Sequence, residues 1–229
     1  MRVEAILFDK DGTLFEFAAT WGPFARAFLL RVAENDPDRA TRIGHTVGYD
    51  MATDRFDPDS VLIAATADDI ARDLRSSLPH LSHAALVDLL NEEAALAPQA
   101  QHLPLAPYLD ALLGRGLKLG VATNDSEIPA LSHLEAAGIR DRFEFVAGFD
   151  SGHGAKPGTG QLLAFAAHVG LDPAQVVMVG DSTHDLMAGR AAGMVTIGVL
   201  TGLAGADVLA PFADAVLPDI GHIPAWLDR

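Results

Sequence analysis

The sequence predicts an α/β fold: a doubly wound parallel-sheet core carrying an inserted all-helical domain. Two observations predict it. After Pro98, short apolar runs alternate with helical stretches, which is the rhythm of a parallel sheet covered by helices on both faces. From Phe15 to about Ala97 strand-like runs are scarce and Ala, Leu and Arg dominate, which reads as helices alone.

The elements follow in order. Val3 to Phe8 is a short apolar run that breaks off at Asp9-Lys10-Asp11-Gly12-Thr13, so a buried strand feeds a loop. Within the insertion, residues 21–34, 67–74 and 82–96 have helical spacing, with Pro23 near a helix start and Ser82 as an N-cap. Lys118–Ala122 is a strand, and Ile128–Ala137 a helix ended by Gly138. Phe143–Ala147 is the next strand, and Gly160–Val169 a helix ended by Gly170. Val176–Val179 is a strand whose helix runs through Ala192 to Gly193; Val195–Val199 and the weaker Ala215–Leu217 complete the sheet. The expected division is a core of residues 1–14 and 98–229 and an insertion of residues 15–97.

Composition narrows the function. Hydrophobic residues make up 49% of the 229, enough for a substantial core. The formal net charge is −15, which repels nucleic acid and anionic membrane. There are no cysteines, so disulfides, thiolate metal sites and cysteine nucleophiles are excluded. The apolar run near the N-terminus is short and interrupted by charge, unlike a signal peptide, and no stretch is long enough to span a bilayer. The expectation is a soluble cytoplasmic protein, monomeric or homodimeric, acting on a small molecule.

The strand ends carry the chemistry. The first strand leads into Asp9 and Asp11, and Lys118–Ala122 leads into Thr123, Asn124 and Asp125. Phe143–Ala147 precedes a Gly-rich loop ending at Lys156, and Val176–Val179 leads into Asp181 and Asp185. In a parallel sheet these ends point the same way, so the carboxylates, the lysine and the hydroxyl converge. Clustered carboxylates resist ionising together. A hard cation resolves this, and all-oxygen ligands suit magnesium. Lys156 is the one fixed counter-charge expected. Such a site suits phosphoryl transfer, where charge on the equatorial oxygens must be stabilised. Asp9 and Asp11 lie two apart on chain leaving a strand, so one can face phosphorus while the other reaches the leaving oxygen.

At these residues the chain resembles the haloacid dehalogenase superfamily. Asp9-Lys10-Asp11-Gly12-Thr13-Leu14, Thr123-Asn124, Lys156-Pro157 and Gly180-Asp181-Ser182-Thr183-His184-Asp185 are similar to its four ordered motifs. Ala188-Gly189-Arg190-Ala191-Ala192-Gly193 resembles a segment of its phosphoglycolate-phosphatase-like members. The resemblance implies a Rossmann-like core with a cap domain between the first two motifs. It implies Asp9 as nucleophile and Asp11 as acid/base. Thr123 and the backbone after it, with Asn124, would bind phosphate, and Lys156 would neutralise it. Asp9, the Asp11 carbonyl, Asp181 and Asp185 would hold magnesium, Asp185 directly or through water. The implied function is Mg-dependent hydrolysis of a small phosphate ester such as phosphoglycolate. One departure is visible: many relatives have Lys-Pro-x-Pro where this chain has Lys156-Pro157-Gly158-Thr159.

Other readings compete. An EF-hand loop fails because Gly12 comes too early and Thr20 stands where the bidentate Glu belongs. A dehalogenase does not need Asp11. A phosphonoacetaldehyde hydrolase needs a cap lysine, and none lies between Lys10 and Lys118. A phosphosugar mutase would keep all four motifs and is the main enzymatic alternative. A non-catalytic binding protein would be favoured by loss of Asp9, Asp11 or Asp181, all of which are present. Asp125 is expected to cap a helix, and His153 and His184 to be surface residues. Arg26, Arg31, Arg42 and Arg55 are candidates for a substrate carboxylate, although a solvated helix face accounts for each singly. Trp21 and Phe24 are expected in the core of the insertion.

Overall fold

In a computed structural model, the structure describes residues 3–57, 60–63 and 65–229. In chain order the elements are β1 (Ala5–Phe8), α1 (Phe17–Val32), α2 (Pro37–Thr46), β2 (Tyr49–Asp50), β3 (Arg55–Phe56), α3 (Ala67–Leu74), α4 (His83–Ala95), α5 (Leu105–Gly114), β4 (Lys118–Ala122), α6 (Glu127–Ala136), β5 (Phe145–Ala147), α7 (Gly160–Val169), β6 (Val176–Gly180), α8 (Thr183–Ala192), β7 (Val195–Val199), α9 (Ala206–Leu209), β8 (Ala215–Leu217) and α10 (Ile223–Leu227). The chain divides into two units, Met1–Phe17 with Gln99–Arg229, and Ala18–Pro98.

The first unit is a six-stranded sheet in the order β5-β4-β1-β6-β7-β8. Every neighbouring pair is parallel. β1 and β6 are apolar and buried at every residue, as strands covered on both faces must be. Successive β1 side chains point to opposite faces. Ile6 and Phe8 join a cluster with Leu105 and Leu109 of α5, Leu134 of α6 and Ile223 of α10. Ala5 and Leu7 join the other cluster with Leu162 and Phe165 of α7 and Ala188 of α8. The chain runs from β1 outward to β4 and β5, then returns to β6 on the far side of β1. The connections therefore diverge between β1 and β6, and ligand sites form where they diverge. α7 and α8 end at Gly170 (φ 69°) and Gly193 (φ 79°), left-handed positions that favour glycine.

The second unit is a helical insertion. Thr66 caps α3 in a reciprocal box with Asp69, and Ser82 caps α4 by accepting from the Ala85 N–H at 3.1 Å. Phe24, Phe28, Leu29 and Leu86 are buried, and Trp21 meets Phe24 edge-on with ring centroids 4.8 Å apart. Three details depart from the sequence expectation. Pro23 lies inside α1, not near its start; Gly22 before it has no Cβ to clash with the proline ring, which eases the helical conformation there. A further helix, α2, begins at Pro37, with the Asp36 carboxylate accepting from the Asp38 and Arg39 N–H groups. The insertion also holds a small antiparallel ribbon, β2 with β3. Asp50 tightens its turn by accepting from the Ala52 N–H and the Thr53 hydroxyl, both at 2.8 Å, and Tyr49 packs on Phe56. Strands this short carry no period for the sequence to display.

Candidate active site

Each motif sits just beyond a strand of the core sheet. Asp9 follows β1, and its N–H still donates to the Val179 carbonyl of β6 at 2.8 Å. Asp181 follows β6, and Asp185 lies in the first turn of α8. The carboxylate oxygens of Asp9, Asp181 and Asp185 lie within 4.8 Å of one another, and all three residues are buried.

Lys156 is the cation among them. Its ammonium donates at 2.6 Å to Asp9 Oδ1, at 2.6 Å to Asp185 Oδ1 and at 2.8 Å to the Ala122 carbonyl. Burial alone would lower its pKa, but the charges of Asp185 and Asp9 outweigh that and raise it, so it stays charged. Burial pushes Asp9 up to about 7; Lys156 opposes this, and Asp185 and Asp11 add to it. Burial, then the charges of Asp9 and Asp185, raise Asp181 well above the carboxylate range. Three carboxylates facing one ammonium carry an excess of negative charge, which a divalent cation would relieve.

The backbone makes room for these groups. A Cβ on Gly12 or on Gly202 would overlap the Asp181 carboxylate, and one on Gly180 would overlap Asp185. Gly12 also has φ 76°, which favours glycine. Bare backbone packed against buried all-oxygen donors fits a small hard cation. Gly202, after β7, was not among the residues the sequence singled out; it stands outside every motif.

Thr123 is 2% exposed. Its hydroxyl accepts from the Asp125 N–H at 3.1 Å, and its carbonyl accepts from Gln161 Nε2 at 3.0 Å. Gln161 also donates to the Gly154 carbonyl at 2.9 Å. It thereby ties the loop after β4 to the Gly-rich loop, a role no local signal announced. Asn124 turns its amide to the Lys156 backbone. Its Nδ2 donates to the Lys156 carbonyl at 2.9 Å, and its Oδ1 accepts from the Lys156 N–H at 2.8 Å. The amide grips the backbone that carries the lysine. Asp185 does two jobs: Oδ1 takes the Lys156 ammonium, while Oδ2 accepts from the Ser182 hydroxyl at 2.6 Å in a capping box.

Lys156 is not the only fixed counter-charge. Lys10 is fully buried and lies 2.7 and 2.6 Å from the two oxygens of Asp11. Its alternation with Phe8 sends it to the α6 face of the sheet, where it meets His133 Nδ1 at 3.0 Å and Asp125 at 3.5 Å. Asp125 therefore faces a buried ammonium, besides accepting from the Ser126 N–H at 2.9 Å. Burial, the largest influence, pushes Asp125 up to about 6, opposed by Lys10 and reinforced by Asp11. His153 is exposed and His184 half-buried.

This strand-end arrangement has counterparts. Residues 3–193 match the family model of haloacid dehalogenase-like hydrolases. The chain belongs to that family. It is therefore a hydrolase, and its near-full-length curated relatives include phosphatases. One is a phosphoglycolate phosphatase of Rhodospirillum rubrum, 32% identical over 98% of this chain and 90% of the relative. Another is the pyrophosphatase PpaX of Bacillus pumilus, 28% identical over 90% of this chain and 88% of the relative. Among solved structures, a predicted phosphoglycolate phosphatase from Haemophilus somnus superposes on this hydrolase with a TM-score of 0.74 at 19% identity, covering 99% of this chain and 98% of the other. That likeness concerns the fold. Among the described residues of this hydrolase no helix is long and apolar enough to cross a membrane.

Proposed function

We propose that this protein hydrolyses a small phosphate monoester, with phosphoglycolate the preferred candidate, through a phosphorylated Asp9. The observation that carries the reading is Asp9 itself: a buried carboxylate at the end of β1, held at 2.6 Å by the Lys156 ammonium within reach of Asp181 and Asp185.

In this reading an Asp9 oxygen attacks phosphorus and the bond from phosphorus to the ester oxygen breaks. Asp11 passes its proton to the departing alkoxide. A water then attacks the aspartyl-phosphate and gives a proton to Asp11, which returns Asp9 and releases phosphate. The Thr123 hydroxyl and the backbone after it bind the phosphoryl oxygens, and Lys156 neutralises their charge. Asn124 serves through the Lys156 backbone it grips. Asp9, the Asp11 carbonyl and Asp181 would hold magnesium, with Asp185 supporting it directly or through water. When bound, that ion supplies charge neutralisation for the phosphoryl oxygens. The relatives' names support phosphate chemistry.

The test has two arms. Asp9→Asn is nearly isosteric and should abolish turnover with the circular dichroism spectrum unchanged. Wild-type protein treated with beryllium fluoride and magnesium should carry the adduct on Asp9; an adduct on any other residue would overturn the assignment.

A further inference from the structure

Lys10 is a lysine with no role in the scheme above, yet it is one of the largest fully buried side chains among the described residues. Burying an ammonium is costly unless charge and hydrogen bonds compensate. Compensation is present on three sides. Both Asp11 oxygens lie within 2.7 Å of Nζ, His133 Nδ1 is 3.0 Å away, and Asp125 Oδ2 is 3.5 Å away. An ammonium only donates, so His133 receives through Nδ1. Asp125 Oδ2 is buried and lies 3.5 Å from Nζ, so the ammonium compensates its charge. Burial opposes the ammonium, but the charges of Asp11 and Asp125 outweigh it and raise the Lys10 pKa.

The anchoring groups come from different elements. Asp125 lies between β4 and α6, and His133 lies in α6. Both are buried, with His133 1% exposed and the Asp125 side chain 6% exposed. Asp11, by contrast, lies on a loop, with its side chain 12% exposed. The ammonium thus connects a loop carboxylate to the fixed frame of β4 and α6.

We propose that Lys10 is a positioning residue, held by His133 and Asp125, that fixes the Asp11 carboxylate for proton transfer to and from the ester oxygen. The inference rests on the reading of Asp11 as the acid/base. A carboxyl that swings among rotamers spends little time at the leaving oxygen, and a misplacement of about 1 Å can cost on the order of a hundredfold. The contribution falls on proton transfer alone. It therefore matters most for esters with basic leaving groups and least for those whose leaving group departs without a proton.

That asymmetry supplies a readout that general structural damage would not produce. The experiment compares kcat on an alkyl phosphate with kcat on p-nitrophenyl phosphate, with saturating magnesium. The principal variant is Lys10→Met combined with Asp125→Asn, which removes the ammonium together with the buried Asp125 carboxylate that faces it. The alkyl-to-aryl ratio should fall roughly tenfold or more. Equal losses on the two substrates, no loss, or a gain on the alkyl ester would overturn the proposal. If the double variant does not fold, His133→Leu decides by the same ratio: a selective loss on the alkyl ester supports the proposal, and an unchanged ratio overturns it. Asp11→Asn is the control. If it too shows no leaving-group selectivity, the assignment of Asp11 fails; if it alone shows selectivity, only the role of Lys10 fails.

Discussion

Gly202 and Asp181 touch so closely that no side chain fits between them, because a Cβ on Gly202 would overlap the Asp181 carboxylate. The loop after β7 thereby walls the carboxylate that follows β6. Gly202→Ala should displace Asp181, and displacing a group that supports or supplies a metal ligand typically costs 10–100-fold in affinity. The magnesium concentration for half-maximal activity should rise roughly tenfold or more. Unchanged activation by magnesium would show that Asp181 does not depend on this wall.

Magnesium binding should weaken as the solution becomes more acidic. In the cation-free site burial holds Asp9 up to about 7, so below that pH a proton must leave before a cation can bind. Each proton displaced reduces the affinity by up to about tenfold per pH unit. Calorimetric titrations in buffers of different ionisation enthalpy should find more protons released at pH 6 than at pH 8. Equal release at both would contradict the raised Asp9.

Asp125 gives a second pH effect, in stability. Its pKa is raised from 3.8 to about 6 in the folded protein. The folded state then binds the proton more tightly than the unfolded chain, so stability contributed by Asp125 is complete below about 4 and is lost as pH rises through about 6. A rise of this size is worth on the order of 3 kcal/mol. Asp125→Asn should remove that component, so its Tm should decline less between pH 4 and pH 6 than that of the wild type. Parallel Tm profiles would count against a raised Asp125.

The sheet and the meeting of Asp9, Lys156, Asp181 and Asp185 were legible because both are local facts repeated along the chain. Apolar runs mark the strands, glycine marks the ends of α7 and α8, and parallel strands carry their C-terminal loops to one edge. The ribbon β2–β3 was not legible, since two-residue strands show no alternation. Gly202 and Gln161 were hidden for another reason: their importance lies in what approaches them from distant parts of the chain. Lys10 was visible inside the first motif, but nothing local gave it a role. Its partners, Asp125 and His133, are more than a hundred residues away, and only the packing of α6 on that sheet face brings them together.

Asn124 separates two kinds of contribution. Its amide makes paired hydrogen bonds to the Lys156 backbone at 2.8 and 2.9 Å, so Asn124→Ala should act through the placement of the ammonium. We expect kcat to fall roughly tenfold with KM little changed, and a stability loss of about 1–2 kcal/mol for the broken pair. A raised KM with kcat intact would return Asn124 to direct substrate binding.

The curated relatives differ in substrate: one is a phosphoglycolate phosphatase and another a pyrophosphatase. The strong negative charge of the chain works against nucleic acid. A carboxylated ester such as phosphoglycolate needs a cation beyond those at the strand ends, since Lys156 and Lys10 are already committed to Asp9, Asp185 and Asp11. The insertion offers arginines, but Arg26 is paired with Asp54, and Arg31 with Glu92 and Glu93. Arg42 and Arg55 are exposed. Steady-state kinetics on phosphoglycolate, a hexose phosphate, a nucleoside monophosphate and a phosphopeptide should give the highest kcat/KM with phosphoglycolate. If the hexose phosphate is preferred, the carboxylate assignment falls but the small ester stands; recovery of an isomeric hexose phosphate would instead identify a mutase. Highest efficiency on the phosphopeptide would overturn the small-substrate reading altogether.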